Sequence, residues 1–156
     1  MNVQWKKLLI SLGIPLAVGG LSALLSGGME VYQTVNQPPL SPPGWVFPVV
    51  WTALYLAMGY TSYRVLTSGA EPQALTRALT LYGIQLGLNF LWSPVFFGLQ
   101  WYLVALFILI AMWVFIYLTM QAFSRVDGLA GNLILPYLLW VTFAGYLNFG
   151  VYVLNP

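Results

Sequence analysis

The side chains able to do chemistry in this 156-residue sequence are mainly aromatic rings at helical spacing. Phe47, Trp51 and Tyr55 recur at i, i+4 and i+8 and therefore share one helix face. Such a stripe offers stacking surfaces to a flat apolar molecule. Taken alone, it fits an aromatic belt at a membrane surface better. Tyr55, however, lies roughly 15 Å along the helix axis from Trp45, which is deep for a belt.

Two further stripes carry carboxamides. Gln85 and Asn89 are four residues apart, and Trp92 continues the same face. Because an uncharged amide in an apolar medium is costly unless it is hydrogen-bonded, this face should point into a helical bundle. The amides bond either to neighbouring helices or to a ligand, and the spacing leaves both interpretations open.

The second of these stripes runs through Trp140, Ala144 and Asn148. A large ring, a small residue and an amide at successive helical turns are typical of a pocket wall. Helix–helix packing explains the same pattern equally well.

The sequence contains no His and no Cys, which excludes most metal centres and all thiol chemistry. We therefore expect no metal site and no obligatory cofactor. Glu30 is the only acid on the pocket side, with no base to pair with it, so conventional acid–base catalysis is unfavourable.

The elements that position these side chains follow from the composition. Sixty per cent of residues are hydrophobic, 5% are charged, and the mean hydropathy is +0.84. This is typical of a membrane protein, since soluble domains are about a quarter charged. The sequence contains five apolar stretches, and each has about the 20 residues that a helix needs to cross a bilayer. The stretches cover about residues 8–25, 45–66, 74–97, 101–123 and 131–154.

The sequence thus predicts an all-α integral membrane protein, a five-transmembrane-helix bundle forming one domain over residues 1–156. Residues 29–44 form the long first connection, which contains four prolines in six positions. Because proline lacks an amide donor and fixes φ, we expect a stiff segment that covers the bundle as a lid.

The basic residues predict the orientation of a multi-pass chain. With five spans, Lys6, Lys7, Arg64, Arg77 and Arg125 all fall on one side of the bilayer. The positive-inside rule then places the N-terminus in the cytoplasm and the C-terminus outside, if the host is a plasma membrane. Five scattered charges do not form a nucleic-acid footprint.

Gly83 and Gly87 form a small-xxx-small pair on the side of their helix opposite the amides. Such a pair allows close approach of two helices, so it predicts a homodimer interface. Glycine packing within the bundle has comparable weight.

The sequence resembles the TspO/translocator-protein family (TspO/MBR, the peripheral benzodiazepine receptors), in its bacterial form. The resemblance covers nearly the whole chain. It is carried by Pro42-Pro43-Gly44-Trp45-Val46-Phe47-Pro48, Trp51-Thr52, Leu54-Tyr55, Met58-Gly59, Gln85-Leu86, Leu88-Asn89, Trp92-Ser93, Phe96-Phe97-Gly98, Pro136-Tyr137, Trp140, Phe143-Ala144 and Leu147-Asn148.

The resemblance implies a bundle of five helices, often dimeric, that binds porphyrins and, in animal members, cholesterol and synthetic drugs. By position, Tyr32, Trp51, Asn89, Trp140 and Ala144 match the family's ligand pocket. Trp51 and Trp140 also match tryptophans implicated in light-dependent porphyrin breakdown, where they are candidate electron donors. No Lys or Arg follows Arg125, so the family's sterol motif is absent and sterol transport is the poorer hypothesis.

Together these observations predict a membrane receptor or sensor that binds a tetrapyrrole ligand. The expected ligand-binding residues are Tyr32, Phe47, Trp51, Tyr55, Asn89, Trp140, Ala144 and Asn148. Without His or Cys to hold iron, a metal-free porphyrin or loosely held haem is favoured. The alternatives are a transporter of porphyrin or other small apolar molecules, and a scaffold for membrane partners.

Overall fold

Helices form wherever the sequence is apolar for about twenty residues. The computed structural model describes residues 2–28 and 30–156. Its five long helices are α1 (Trp5–Ser26), α3 (Val46–Leu66), α4 (Pro72–Ser93), α5 (Tyr102–Val126) and α6 (Gly128–Leu154). A short helix, α2 (Glu30–Thr34), lies in the first connection, and a π-helical turn (Pro94–Gly98) follows α4. The described residues contain no β-strand.

Three of the long helices, α1, α5 and α6, are long and apolar enough to cross a membrane by length and composition. The predicted membrane character is confirmed in these helices. The helices α3 and α4 have similar lengths, 21 and 22 residues, but carry polar side chains that the bundle buries, among them Thr61, Gln85 and Asn89. Because these polar groups lower the hydropathy of α3 and α4, the five-span topology stays a prediction.

The helix ends differ in detail from the predicted spans. The last helix begins at Gly128 rather than near residue 131, because Asp127 caps it by accepting hydrogen bonds from the amides of Leu129 and Ala130 at 3.0 and 3.3 Å. The third predicted span continues past Ser93 as the π-helical turn, in which the amide of Leu99 bonds to the carbonyl of Pro94 at 2.9 Å.

The helix α1 lies at the edge of the bundle and packs mainly on α3, α4 and the π-helical turn. It packs tightly on α3 at Gly59, where an added Cβ would lie 2.6 Å from the Cα of Leu12. Glycine is required there because any side chain would push the two helices apart. Towards the first connection α1 and α3 diverge, and the space between them becomes the candidate site.

The first connection is fastened to α6. The amide of Asn36 donates to the side chain of Asn155 at 3.0 Å, and Asn155 donates back to the carbonyl of Asn36 at 2.8 Å. The hydroxyl of Tyr146 donates to the carbonyl of Pro39 at 2.7 Å, and Pro38 packs directly on Gly150. The proline-rich segment is therefore held in place by α6, and its role as a lid stays a prediction.

At the opposite end of the bundle, Arg64 of α3 forms an ion pair with Asp127 at 2.9 Å, ahead of α6. The amide of Gln4 donates to the hydroxyl of Tyr63 at 3.0 Å. The N-terminus, the end of α3 and the α5–α6 connection thus meet at one end, as an alternating arrangement of long helices requires.

Candidate functional site

A cavity of about 310 Å³ lies between α1, α3 and α4 beneath the first connection. Its wall from α3 contains Phe47, Trp51 and Tyr55, which are three of the predicted ligand-binding residues. The complete lining is Leu16, Gly19, Gly20, Ser22, Ala23, Ser26, Gly28, Phe47, Pro48, Trp51, Thr52, Tyr55, Asn89, Trp92, Ser93 and Phe97. This volume is at the lower end of the range of small-molecule sites, about 300–1,000 Å³.

Aromatic rings form the inner wall of the cavity. Trp51 stacks on Tyr55 with ring centroids 5.6 Å apart, and it lies 6.4 Å from the ring of Trp92. Trp92 stacks in turn on Phe96 at 5.2 Å. Because each ring is held by another, the wall offers a rigid apolar surface to a flat molecule.

The polar group on this wall is the amide of Asn89, which is only 3% exposed. Its oxygen accepts from the hydroxyl of Tyr55 at 2.8 Å, and its nitrogen donates to the hydroxyl of Tyr137 at 2.7 Å. Tyr137 donates onward to the oxygen of Gln85 at 2.6 Å. The prediction that Gln85 and Asn89 face the bundle interior is confirmed, and a continuous hydrogen-bonded chain connects the cavity wall to the core.

Three other predicted residues lie behind this wall. Tyr32, Ala144 and Asn148 surround a separate crevice of about 10 Å³, which shares Phe47 and Trp92 with the main cavity. The amide of Asn148 is already occupied, since it accepts from the indole nitrogen of Trp92 at 3.0 Å and donates to the carbonyl of Tyr102 at 2.9 Å. In this conformation Asn148 positions Trp92 rather than facing open space.

Trp140 borders neither space. Its ring lies 6.0 Å from Phe47 and 5.6 Å from Phe143. Its indole nitrogen is buried and has no hydrogen-bond partner among the described residues. The ring of Phe47 therefore stands between Trp140 and the main cavity.

Tyr32 holds the first connection against the bundle. Its ring packs edge-on to Phe47 at 4.9 Å, and its hydroxyl donates to the carbonyl of Pro42 at 3.0 Å. Burial raises the pKa of the Tyr32 phenol, so the hydroxyl stays protonated and remains a donor. Tyr32 acts here on the cover of the site rather than on its inner wall.

The structure thus brings four predicted residues into one cavity: Phe47, Trp51, Tyr55 and Asn89. Sequence reasoning missed the wall supplied by α1, where Gly20 and Ala23 leave room for a ligand and Gly19 makes room for the ring of Tyr55. The concentration of small residues in this span was the available signal. Tyr137 was also missed as the partner of Asn89.

Gly83 and Gly87 point away from the bundle, as predicted. Both are exposed, and an added Cβ would meet no atom within 4 Å at either position. Their role in a homodimer stays a prediction. In the described part of the chain, no group of three or more His, Cys, Asp or Glu side chains is arranged to hold a metal ion.

Comparison with known proteins gives a consistent result over nearly the whole chain. Residues 11–154 match the model of the TspO/MBR family. The chain is 42% identical to the tryptophan-rich protein TspO of Chlorobaculum tepidum, covering 100% of both chains. It is 41% identical to the tryptophan-rich sensory protein of Cereibacter sphaeroides, covering 99% of this chain and 95% of that one. It is 38% identical to the translocator protein of Homo sapiens, covering 80% and 75%.

Proposed function

Since the chain belongs to the TspO/MBR family of membrane proteins, we propose that it is a receptor or sensor for a tetrapyrrole, which binds in the cavity between α1, α3 and α4. The observation that carries this proposal is the wall formed by Trp51, Tyr55 and Asn89. The rings offer stacking surface, and the amide of Asn89, bonded to Tyr55 and Tyr137, fixes the position of the Tyr55 ring in that surface.

The chemistry of the lining supports a flat, largely apolar ligand. The described lining residues carry no charged side chain, and the polar groups are the hydroxyls of Ser22, Ser26, Ser93 and Thr52, with Tyr55 and Asn89. Such a wall stabilises a macrocycle face through stacking and burial, and because it gives no counter-ion, the two propionates of a protoporphyrin would stay outside the cavity in a polar environment. A metal-free porphyrin fits this lining better than haem, because the chain has no His or Cys to coordinate the iron of haem.

The volume of the cavity limits how much of such a ligand can bind inside it. A tetrapyrrole is larger than a cavity of 310 Å³, so only part of the macrocycle enters it in this conformation. The crevice around Tyr32, Ala144 and Asn148 provides further space if Phe47 turns aside. That movement would also expose Trp140 to the ligand. With Phe47 turned aside, the main cavity and the crevice become one slot, which Tyr32, Trp140 and Ala144 also line.

The proposal includes the membrane arrangement. We propose that α1, α3, α4, α5 and α6 all span the bilayer, as one domain covering residues 1–156. The basic residues at the Arg64–Asp127 end then place the N-terminus in the cytoplasm and the first connection outside, for a plasma-membrane protein.

We also propose that the bound porphyrin is broken down in the light. Trp51 lines the cavity and stacks on Tyr55, so it is the better placed electron donor to a photo-excited ring. Trp140 would take part only after Phe47 moves. In this step Trp51 would become a radical cation and the ring a radical anion, which would pass its electron to dioxygen to give superoxide. Addition of superoxide to the ring and return of one electron to Trp51 would leave the net reaction as addition of dioxygen to the porphyrin. Illumination of the purified protein with protoporphyrin in air, followed by absorbance, distinguishes an enzyme from a receptor.

Transport is the second candidate. It would need a way out of the cavity on the side opposite the way in, and the first connection covers one end through its bonds to α6. Uptake of porphyrin into vesicles containing this protein alone would favour transport over sensing.

Titration of the purified protein with protoporphyrin, followed by the Soret band, tests the proposal. Trp51→Leu should weaken binding at least about tenfold, which corresponds to about 1.4 kcal/mol of lost stacking and burial. Trp113→Leu is the matched control, because Trp113 bonds to Thr142 between α5 and α6, away from the cavity. Equal affinities for a folded Trp51→Leu protein and the wild type would contradict the proposal.

A further inference from the structure

The cavity is not equally closed on its different sides. On the α4 side, α1 is held by two hydrogen bonds. The hydroxyl of Ser22 donates to the carbonyl of Phe90 at 2.9 Å, and the hydroxyls of Ser26 and Ser93 lie 2.7 Å apart. These contacts close the α1–α4 side of the cavity.

The first connection is fastened in place next to the cavity, although none of its residues 30–45 lines the cavity. Tyr32 bonds to Pro42 within the connection, and Asn36 and Asn155 fasten the connection to α6 through reciprocal hydrogen bonds. A ligand that came from water past Phe47 would have to displace the connection, because Tyr32 packs on that ring with centroids 4.9 Å apart.

The side between α1 and α3 is different. Along the cavity, no hydrogen bond among the described residues joins α1 to α3; the bond from the Gln4 amide, just ahead of α1, to the hydroxyl of Tyr63 lies at the opposite end of the bundle. The lining residues at this edge are exposed: Gly20 and Ala23 on α1, and Pro48 and Thr52 on α3. Leu16, lower on α1, is 36% exposed. The gap is therefore bordered by small or apolar side chains along the length of two membrane-embedded helices.

The limits of this opening are also built into the helices. Below it, Gly59 allows α1 and α3 to touch, with the Ser11 carbonyl 2.7 Å from an added Cβ position. Gly19 lies directly against the ring of Tyr55. Above these contacts the helices diverge, so the opening is confined to the half of the bundle near the first connection.

We infer that this gap is a lateral portal, through which the ligand exchanges directly with the hydrocarbon of the bilayer rather than with water. The inference rests on the proposed function, because it concerns the route to the same cavity. A lateral portal implies that the ligand is an apolar molecule dissolved in the membrane, which reaches the aromatic wall from the side. A macrocycle too large for the cavity can then project between α1 and α3 into lipid.

The route can be tested separately from the site by measuring rates in proteoliposomes. Gly20→Phe places a ring at the edge of the portal, and Gly13→Phe makes the same change on the same helix away from the cavity, at a position with no atom within 4 Å of an added Cβ. Stopped-flow quenching of tryptophan fluorescence by protoporphyrin gives association and dissociation rates. We expect Gly20→Phe to slow both association and dissociation at least fivefold, whereas the loss of a binding contact alone would speed dissociation; Gly13→Phe should change neither rate.

A second variant tests access from water past the first connection. Asn155→Ala removes the reciprocal bonds to Asn36 and so loosens the first connection, and access from a lateral portal predicts an unchanged association rate. Faster association in Asn155→Ala together with wild-type rates in Gly20→Phe would overturn the portal. Loss of equilibrium binding in the wild type would instead overturn the proposed function.

If Gly20→Phe no longer binds protoporphyrin, the lateral portal can be tested with the wild-type protein and three related porphyrins. Deuteroporphyrin, mesoporphyrin and protoporphyrin share one macrocycle and differ in membrane partitioning. A lateral portal predicts that association rate constants, referred to aqueous concentration, rise in proportion to the partition coefficient. Rate constants that do not depend on partitioning would contradict it.

Discussion

The hydroxyl of Tyr55 donates to the side-chain oxygen of Asn89 at 2.8 Å, which joins α3 to α4 at the inner wall of the cavity. Both residues line the cavity, and Asn89 also holds Tyr137 of α6. One amide therefore connects three helices and orients the aromatic surface on which ligand binding is proposed to depend.

The Tyr55–Asn89 bond should contribute measurably to stability. Tyr55→Phe keeps the ring and leaves the oxygen of Asn89 without this donor, and we expect a loss of about 0.5–2 kcal/mol in the free energy of unfolding. Reversible unfolding in mixed micelles measures it. Tyr117→Phe is the control, since Tyr117 is 41% exposed on the outer face of α5. Equal losses in the two variants would show that the bond contributes nothing specific.

Gly59 on α3 should not tolerate a side chain. In Gly59→Ala the added Cβ would lie 2.6 Å from the backbone of Leu12, so α1 must move. We expect a destabilisation of about 1–3 kcal/mol. Gly13→Ala meets no atom within 4 Å and should be neutral or stabilising by up to about 1 kcal/mol, because alanine favours a helix. A Gly59→Ala protein as stable as Gly13→Ala would mean that α1 is not packed as described.

Asp127 has two separable roles. One oxygen accepts the amides of Leu129 and Ala130 as a helix cap, and the other pairs with Arg64. Asp127→Asn keeps a cap and removes the ion pair, which is partly exposed, so we expect a loss below about 1 kcal/mol. Asp127→Ala removes both and should cost about 1 kcal/mol more. Identical thermal unfolding of the two variants would refute this division of roles.

The predicted homodimer can be tested through Gly83 and Gly87. Both are exposed and without neighbours in the single chain. If they form the interface, Gly83→Leu with Gly87→Leu should convert a dimer into a monomer, since the bulk prevents close helix approach. Native mass spectrometry in mild detergent measures this. A wild-type protein that is already monomeric, or a variant that stays dimeric, would exclude an interface through these glycines.

Much of the helical arrangement follows from the sequence, because long apolar runs have few other structures in lipid. The inward direction of Gln85 and Asn89 was also predictable, since buried amides need partners. What a periodic pattern cannot give is the neighbour across the interface. Asn148 lies on the predicted inward face, yet it is occupied by Trp92 and Tyr102, which belong to other elements.

The same reasoning explains Trp140. It shares a stripe with Ala144 and Asn148, but the ring of Phe47 on α3 covers it. A stripe defines a direction on its own helix, whereas exposure to a cavity depends on how far the neighbouring helices separate. The α1 wall escaped sequence analysis because glycine and alanine make room for a ligand without carrying any recognisable chemistry themselves.

The central claim is that the cavity between α1, α3 and α4 holds the ligand, and filling it is the most direct test. Ala23 lines the cavity, whereas Ala17, on the same helix and also exposed, does not. In equilibrium titrations with protoporphyrin, Ala23→Trp should raise Kd at least about thirtyfold, equivalent to about 2 kcal/mol, while Ala17→Trp stays within twofold of the wild type. Equal affinities for Ala23→Trp and Ala17→Trp, in proteins that are both folded, would contradict the account.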